Sequence, residues 1–293
     1  MASLKEIRQR ITTVKSTRQI TSAMKMVAAA KLKRSQDAII QIRPYASRLQ
    51  EMIGQVSAAV SDGELSPLTA GREPEKILLV AISSNRGLCG GFNSNIARAV
   101  VERINARYAS QWGKGNLQVL IIGKKAGEIL KNKGFGKWQN KNQLVEKPTY
   151  VQAEEMADRL MDAFIKEEYS RIELIYNQFR NAASQAVTVE RFLPVAPAAK
   201  QQQSGRYFNF IFEPNLEDLV RRLIPEALRI QFYKALLDSL ASEYGARMTA
   251  MHQATDNATE IIRNLTLEYN KARQASITNE LIEIVSGAEA LKS

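Results

Sequence analysis

The sequence has a single cysteine, Cys89, which excludes an internal disulfide framework and suits a reducing compartment. It has a single histidine, His252, so no His/Cys metal site can be assembled. His252 stands between Met251 and Gln253 in a helical stretch and reads as an exposed helix position. No run of about 18 apolar residues occurs, so no segment reads as membrane-spanning. The start, MASLKEIRQR, is charged and lacks the apolar core of a secretory signal. Residues 1–44 contain no aromatic side chain to stack on bases, and zinc-finger and RNP-type motifs are absent. Proline is scarce where it matters most: none follows Pro225. The hydrophobic share of 45% and the charged share of 24% are ordinary for a soluble globular chain, and 293 residues fit one or two domains.

What is present is periodicity. From Pro225 to Ser286 the chain has one glycine, Gly245, and a seam of Tyr244, Met248, Met251, Thr255, Ala258, Ile262, Leu265, Tyr269 and Ala272 at the 3.5-residue spacing of a coiled coil. A helix of that span is about 90 Å long at 1.5 Å per residue, too long to bury its stripe inside one globule. It needs a partner of similar length. Residues 4–60 supply one, with Ile11, Val14, Arg18, Thr21, Lys25, Ala28, Leu32, Ser35, Ile39, Ile42, Ala46, Leu49, Ile53, Val56 and Val60 in the same register. Pro44 is expected to bend this first helix locally. Both seams weaken toward their outer ends: Arg18, Thr21, Lys25 and Ser35 in one, Ser276 and Asn279 in the other. Such ends pair loosely and leave side chains free for an outside partner, although a plain structural coiled coil has the same periodicity.

The net charge of +11 is uneven. Residues 1–60 hold eleven Lys/Arg against three Asp/Glu, whereas residues 215–293 hold nine against eleven. A helix this basic favours an acidic protein partner; a solvated face opposite the acidic helix and a nucleic-acid partner are the alternatives. Against a membrane-surface helix stand the small residues of the stripe and its lack of Trp and Phe.

Between the helices, residues 61–75 read as a linker containing Gly63, Pro67, Gly71 and Pro74. Residues 76–83, Lys-Ile-Leu-Leu-Val-Ala-Ile-Ser, suit a strand buried on both faces. Further strands are expected at 118–122, 171–177 and 186–192, with helices at 94–106, 124–132 and 151–168, the last with Met156, Leu160 and Phe164 inward. Residues 134–148 read as polar loop, 178–185 as a polar connection, and 207–212 as a last apolar run. Alternating strands and helices predict an inserted Rossmann-like α/β domain over residues 76–192 with a mostly parallel sheet. The coiled-coil helices then occupy 1–60 and 215–293.

The segment after the first strand, Arg86-Gly-Leu-Cys-Gly-Gly91, sits where such folds bind phosphate. It is not GxGxxG, and no Gly-Lys-Ser/Thr occurs. A tight turn with Asn93 or Ser94 as helix N-cap takes precedence over phosphate binding. Cys89 beside Arg86 fits a thiol of lowered pKa, but no histidine serves as its base. Ser83 and Ser84 lack the G-x-S-x-G elbow, and Glu154 and Glu155, adjacent in a helix, point apart. Asn257 and Asn264 match glycosylation acceptors but fall mid-helix. The residues themselves assign no catalytic, cofactor or metal site.

Three stretches together resemble one family: Ile20-Thr-Ser-Ala-Met-Lys-Met-Val-Ala-Ala-Ala-Lys31, Ser84-Asn-Arg-Gly-Leu-Cys-Gly-Gly-Phe-Asn93, and residues 269–287, YNKARQASITNELIEIVSG. They are similar to the gamma subunit of the F-type ATP synthase, in the right order and over essentially the whole chain. The resemblance implies an antiparallel coiled coil of the terminal helices with an inserted α/β domain. It implies a non-catalytic rotor shaft that couples proton-driven rotation of the membrane c ring to ATP synthesis or hydrolysis in a ring of three alpha and three beta subunits. The implied partners are the alpha, beta and epsilon subunits and the c ring, with no cofactor of its own. Arg273, Gln274 and Thr278 match family positions that hydrogen-bond to a beta-subunit loop, and Met24, Lys25 and Arg247 lie in matching contact regions. Many relatives carry an acid where this chain has Lys25. Ile284, Val285, Ala288 and Leu291 correspond to a low-friction tip, and Glu213 to the foot facing epsilon and the c ring. The cysteine-bearing regulatory insert of chloroplast relatives is absent, and the lack of a transit-like segment suggests a bacterial protein on the cytoplasmic face of the inner membrane. A basic coiled coil bridging nucleic acid is the competing possibility.

Overall fold

A computed structural model describes residues 3–59, 66–69, 71–132, 135, 138–140, 142–146, 148–182, 184–195 and 216–290. The expected apolar run at 207–212, Val60, Glu213 and Leu291 lie outside the described residues. The chain divides into two compact units, Met1–Ala28 with Met248–Ser293, and Ala29–Arg247.

Two long helices begin and end the chain, α1 (Leu4–Ala59) and α6 (Leu216–Ala290). In the first unit the predicted seam is the buried one. Ile7, Thr21 and Ala28 of α1 and Met251 and Ala258 of α6 are buried, with Ile11, Val14, Lys25, Thr255, Ile262, Leu265, Tyr269 and Ala272 half-buried. Arg18, though in register, is exposed. Thr255 donates to Thr21 across the seam at 2.8 Å, so a polar pair is matched inside the stripe. In the second unit the same register on α1 continues through the buried Leu32, Ser35, Ile39 and Leu49. There Lys31 lies over the Tyr244 ring, 5.3 Å from its centre. In this unit Lys31 meets Tyr244 and Arg43 meets Asp238, rising numbers on α1 against falling numbers on α6, so the helices run antiparallel.

Between them lie β1 (Ile77–Ile82), α2 (Phe92–Arg107), α3 (Ala109–Gly113), β2 (Leu117–Ile122), α4 (Lys124–Asn132), β3 (Trp138–Asn140), α5 (Tyr150–Ile165), β4 (Arg171–Phe179) and β5 (Gln185–Leu193). The sheet order is β3-β2-β1-β4-β5. The first four strands are parallel and β5 is an antiparallel edge. β1 is buried along its whole length because it faces a core on each side. Leu78, Val80 and Ile82 pack with Ala157, Leu160 and Phe164 of α5 and Leu228 and Phe232 of α6. Ile77, Leu79 and Ala81 pack with Ile96, Val100 and Ile104 of α2 and Leu130 of α4. α5 starts on a capping box in which Thr149 and Gln152 satisfy each other's backbone N–H groups.

α6 begins at Leu216, next to the expected start at 215, and Pro225 lies inside it. Burial of Ile224, Leu228 and Phe232, worth about 1.5–3 kcal/mol each, outweighs the ~3 kcal/mol cost of an interior proline. Three expectations need correction. Trp138–Asn140, read as loop, forms β3 along Val119–Ile121 of β2; three residues carry no detectable period. β4 and β5 extend to Phe179 and Gln185, into the supposed polar connection, because antiparallel backbone bonding tolerates polar side chains at an edge. A short helix, α3, follows α2 where none was expected.

Candidate functional site

Two regions hold the residues singled out above. In the first unit, every side chain of α6 from Ile277 to Ala288 is exposed. Five of these are large and apolar, Ile277, Leu281, Ile282, Ile284 and Val285, and each is 49–68% exposed. The face therefore presents more apolar surface than a solvated helix needs. Arg273 and Gln274, just before this stretch, and Thr278 within it are exposed as well. Gln274 and Thr278 are one turn apart and share a side of the helix. The Thr278 hydroxyl donates to the Gln274 carbonyl at 2.9 Å, which leaves its oxygen lone pairs to accept from outside. Met24 and Lys25 on α1 are half-buried, while Ile284, Val285 and Ala288 are exposed.

Arg247 is different: it is buried in the second unit. Its guanidinium donates to Glu243 at 2.6 Å and to the carbonyls of Arg86 and Gly87 at 3.3 Å each. Burial pushes the Glu243 carboxyl up, and Arg247 opposes that rise. Arg247 thus caps the turn after β1.

That turn is closed by its own side chains. Asn93 does not cap α2, as had been expected of it or Ser94; Gly91 occupies the N-cap with no side-chain bond. The Asn93 amide is drawn inward instead. It accepts from the Ser84 N–H at 3.0 Å and donates to the Ser84 hydroxyl at 2.8 Å, and that hydroxyl donates to the Arg86 carbonyl at 2.7 Å. The tight-turn expectation stands, with Asn93 as a brace rather than a cap. Cys89 is buried inside this brace, with the Asn93 amide at 3.2 Å. Its thiol is pushed up by burial, which outweighs the attraction of Arg247, so the lowered pKa expected beside Arg86 is overturned. Native Cys89 should react with iodoacetamide at least about tenfold more slowly than in urea at the same pH. Equal rates would place the thiol at the surface.

Nearby, Arg43 on α1 donates to Asp238 on α6 and to the Phe179 carbonyl at the end of β4, both at 2.9 Å. Ser242 donates to the Asn177 carbonyl at 2.9 Å. Asp238, Ser242 and Glu243 carried no motif in the sequence. Gly245 did carry a signal, since an isolated glycine inside a long helix costs about 1 kcal/mol against alanine and so stands out.

The carboxylates of α5 serve structure: Arg229 binds Glu154 at 3.2 Å and Asp158 at 2.8 Å. His252 is more than half exposed and lies 3.2 Å from Asp256. Among the described residues, no group of three or more His, Cys, Asp or Glu side chains could hold a metal ion, and no helix is long and apolar enough to cross a membrane.

Comparison with known proteins bears on both regions at once. The sequence model of the ATP synthase family described as "ATP synthase" matches residues 3–291. The chain is 52% identical to the ATP synthase gamma chain of Flavobacterium johnsoniae over 99% of both chains. It is 42% identical to that of Trichlorobacter lovleyi over the full length of both. Among solved structures it resembles a chain of the Tetrahymena thermophila mitochondrial ATP synthase central stalk and c-ring, at 28% identity and a TM-score of 0.59, covering 80% of this chain and 99% of that one. A Euglena gracilis mitochondrial ATP synthase chain shares the fold at a TM-score of 0.67 and 22% identity, covering 98% of this chain and 94% of that one. Helix pairing, inserted sheet and full-length sequence agreement converge, and the chain belongs to the ATP synthase gamma-chain family.

Proposed function

We propose that the chain is the central rotor shaft of an F-type ATP synthase, a component without catalytic residues of its own. It couples rotation of a proton-driven c ring to ATP synthesis or hydrolysis in a ring of alpha and beta subunits, and joins the epsilon subunit at its other end. The observation that carries this is the full-length kinship together with the bare, apolar final stretch of α6. A helix that ends in so much unpaired apolar surface is suited to an enclosing sleeve.

The mechanism follows from asymmetry. Two helices of unequal length and charge offer different side chains in different directions. Three otherwise equivalent catalytic subunits then meet different contacts, and rotation permutes them. A contact biases a subunit only by interacting differently with its states, and an unequal shaft supplies that difference. Arg273, Gln274 and Thr278 bind a beta-subunit loop from the exposed face of α6. Met24 and Lys25 contribute from α1, and Arg247 acts by holding the turn after β1. Ile284, Val285, Ala288 and Leu291 form the low-friction tip, where non-directional apolar contact lets the shaft turn. Glu213 belongs to the foot that meets epsilon and the c ring. The basic α1 face meets acidic loops of the beta subunits, which orients the shaft more than it adds affinity. As part of such a complex the chain lies on the cytoplasmic face of a bacterial inner membrane. The nucleic-acid-bridging alternative finds no support in the kinship.

Replacing Gln274 and Thr278 together by alanine is expected to lower ATPase turnover of the assembled complex about tenfold, as the loss of two hydrogen bonds near 0.5–1.5 kcal/mol each implies. Both side chains are exposed, so the unfolding transition of the chain should not move. Unchanged turnover would remove these two positions from the contact. If the wild-type chain failed to assemble with alpha and beta subunits, the shaft role itself would fall.

A further inference from the structure

The connections leave β1 toward β2 on one side and return to β4 on the other, so the strand order reverses between β1 and β4. Outside the carboxyl ends of parallel strands, such a switch point is where open α/β sheets hold their ligands. In this chain α6 lies there. Ser242, wholly buried, donates to the carbonyl of Asn177 near the end of β4 at 2.9 Å. Asn177 in turn donates to the Phe92 carbonyl at the start of α2 at 3.3 Å. Arg247 covers the Arg86 and Gly87 carbonyls of the turn after β1, its charge met by Glu243. Asp238, also wholly buried, holds Arg43, which reaches the Phe179 carbonyl. Between Ser242 and Arg247 sits Gly245. A Cβ there would stand 3.1 Å from the Ala182 carbonyl oxygen in the β4–β5 turn, tighter than ordinary contact.

We propose that residues 238–247 of α6 act as a built-in ligand of the switch-point crevice, and that this seat, keyed by Gly245, is the joint through which load passes between α6 and the α/β fold. The passage of load rests on the shaft role above. Apolar packing is non-directional and lets a helix slip about its axis. Hydrogen bonds are directional, and here they run from one short stretch of α6 to β4 and to the turn after β1. They fix the rotation of the helix against the sheet. A glycine at the contact lets the helix backbone come close enough for those bonds to form.

The test is Gly245→Val in the full chain, with Gly245→Ala beside it. Valine should force α6 away from Ala182. Hydrogen exchange in residues 84–91 and 177–184 of the isolated chain should rise about tenfold. In complexes reconstituted into proton-tight vesicles, ATP hydrolysis should persist while ATP-driven proton pumping falls severalfold. Alanine asks the carbonyl to move only slightly and should give a smaller change of the same sign. Unchanged exchange in Gly245→Val overturns the seat. Raised exchange with undiminished pumping overturns the joint. If the valine chain does not fold, Gly245→Ala and Ser242→Ala decide by the same two measurements. If wild-type complexes do not pump, the shaft role fails, and exchange in the isolated chain still decides the seat.

Discussion

Replacing Arg103 by methionine is expected to lower the unfolding free energy of the α/β fold by about 3–5 kcal/mol, the cost of leaving a buried charge without its main partner. The charge is Glu173, on β4 and 1% exposed. Arg103 on α2 binds it with two donors, at 2.7 and 2.6 Å, and the Tyr108 hydroxyl adds a third at 2.7 Å. Burial alone would push the Glu173 carboxyl up; the hydrogen bonds from Arg103 and Tyr108 reverse this and hold it below the usual carboxylate range. In the native chain, therefore, Glu173 contributes stability at pH values above the ordinary carboxylate pKa, and that contribution is lost as pH falls through its lowered value. Without Arg103 the effect of burial prevails and the sign inverts. The raised carboxyl then contributes stability at acid pH that is lost as pH rises. Urea denaturation, followed by the fluorescence of Trp112 and Trp138, should show the gap between the two proteins narrowing on acidification. A gap that stays constant from about pH 8 to pH 5 would mean that Glu173 does not carry the loss.

Phe232→Ala is the second large effect, also about 3–5 kcal/mol, from lost transfer energy plus the cavity that remains. Phe232 is a fully buried side chain of α6, packed in the core with Leu228 and Leu236. Its ring meets Phe192 of β5 edge-on at 6.1 Å. It lies near the start of the stretch of α6 that seats on the sheet, so the truncation should loosen that helix as well as weaken the fold. The denaturation midpoint should fall with little change in slope, and Phe232→Leu should restore more than half of the loss. A loss below about 1 kcal/mol would show that the surrounding side chains collapse into the space.

Much of the architecture is written locally. β1 reads as doubly buried because six successive residues, Ile77 to Ile82, are apolar and each face of the strand has a core. The capping box at Thr149 and Gln152 sits three residues apart, within one turn. The candidate residues of the final α6 stretch were legible only through resemblance, since an exposed Gln or Thr has no periodic signal. The inward turn of Asn93 was not legible: asparagine suits an N-cap equally well, and only the nearby Ser84 decided between the two.

The sequence by itself determined the two long helices, their 3.5-residue seam, the alternation of strands and helices between them, and the uneven charge, because each depends on residues a few positions apart. Only the tertiary structure decided the strand order, the placement of α6 across the switch point, the burial of Arg247 and Cys89, and the ionisation of Glu173. Those depend on partners far apart in the chain, such as Arg103 with Glu173 at 70 residues and Arg43 with Asp238 at 195. No local period records such pairings; they exist only once burial has removed water and left each charge to the partner the fold supplies.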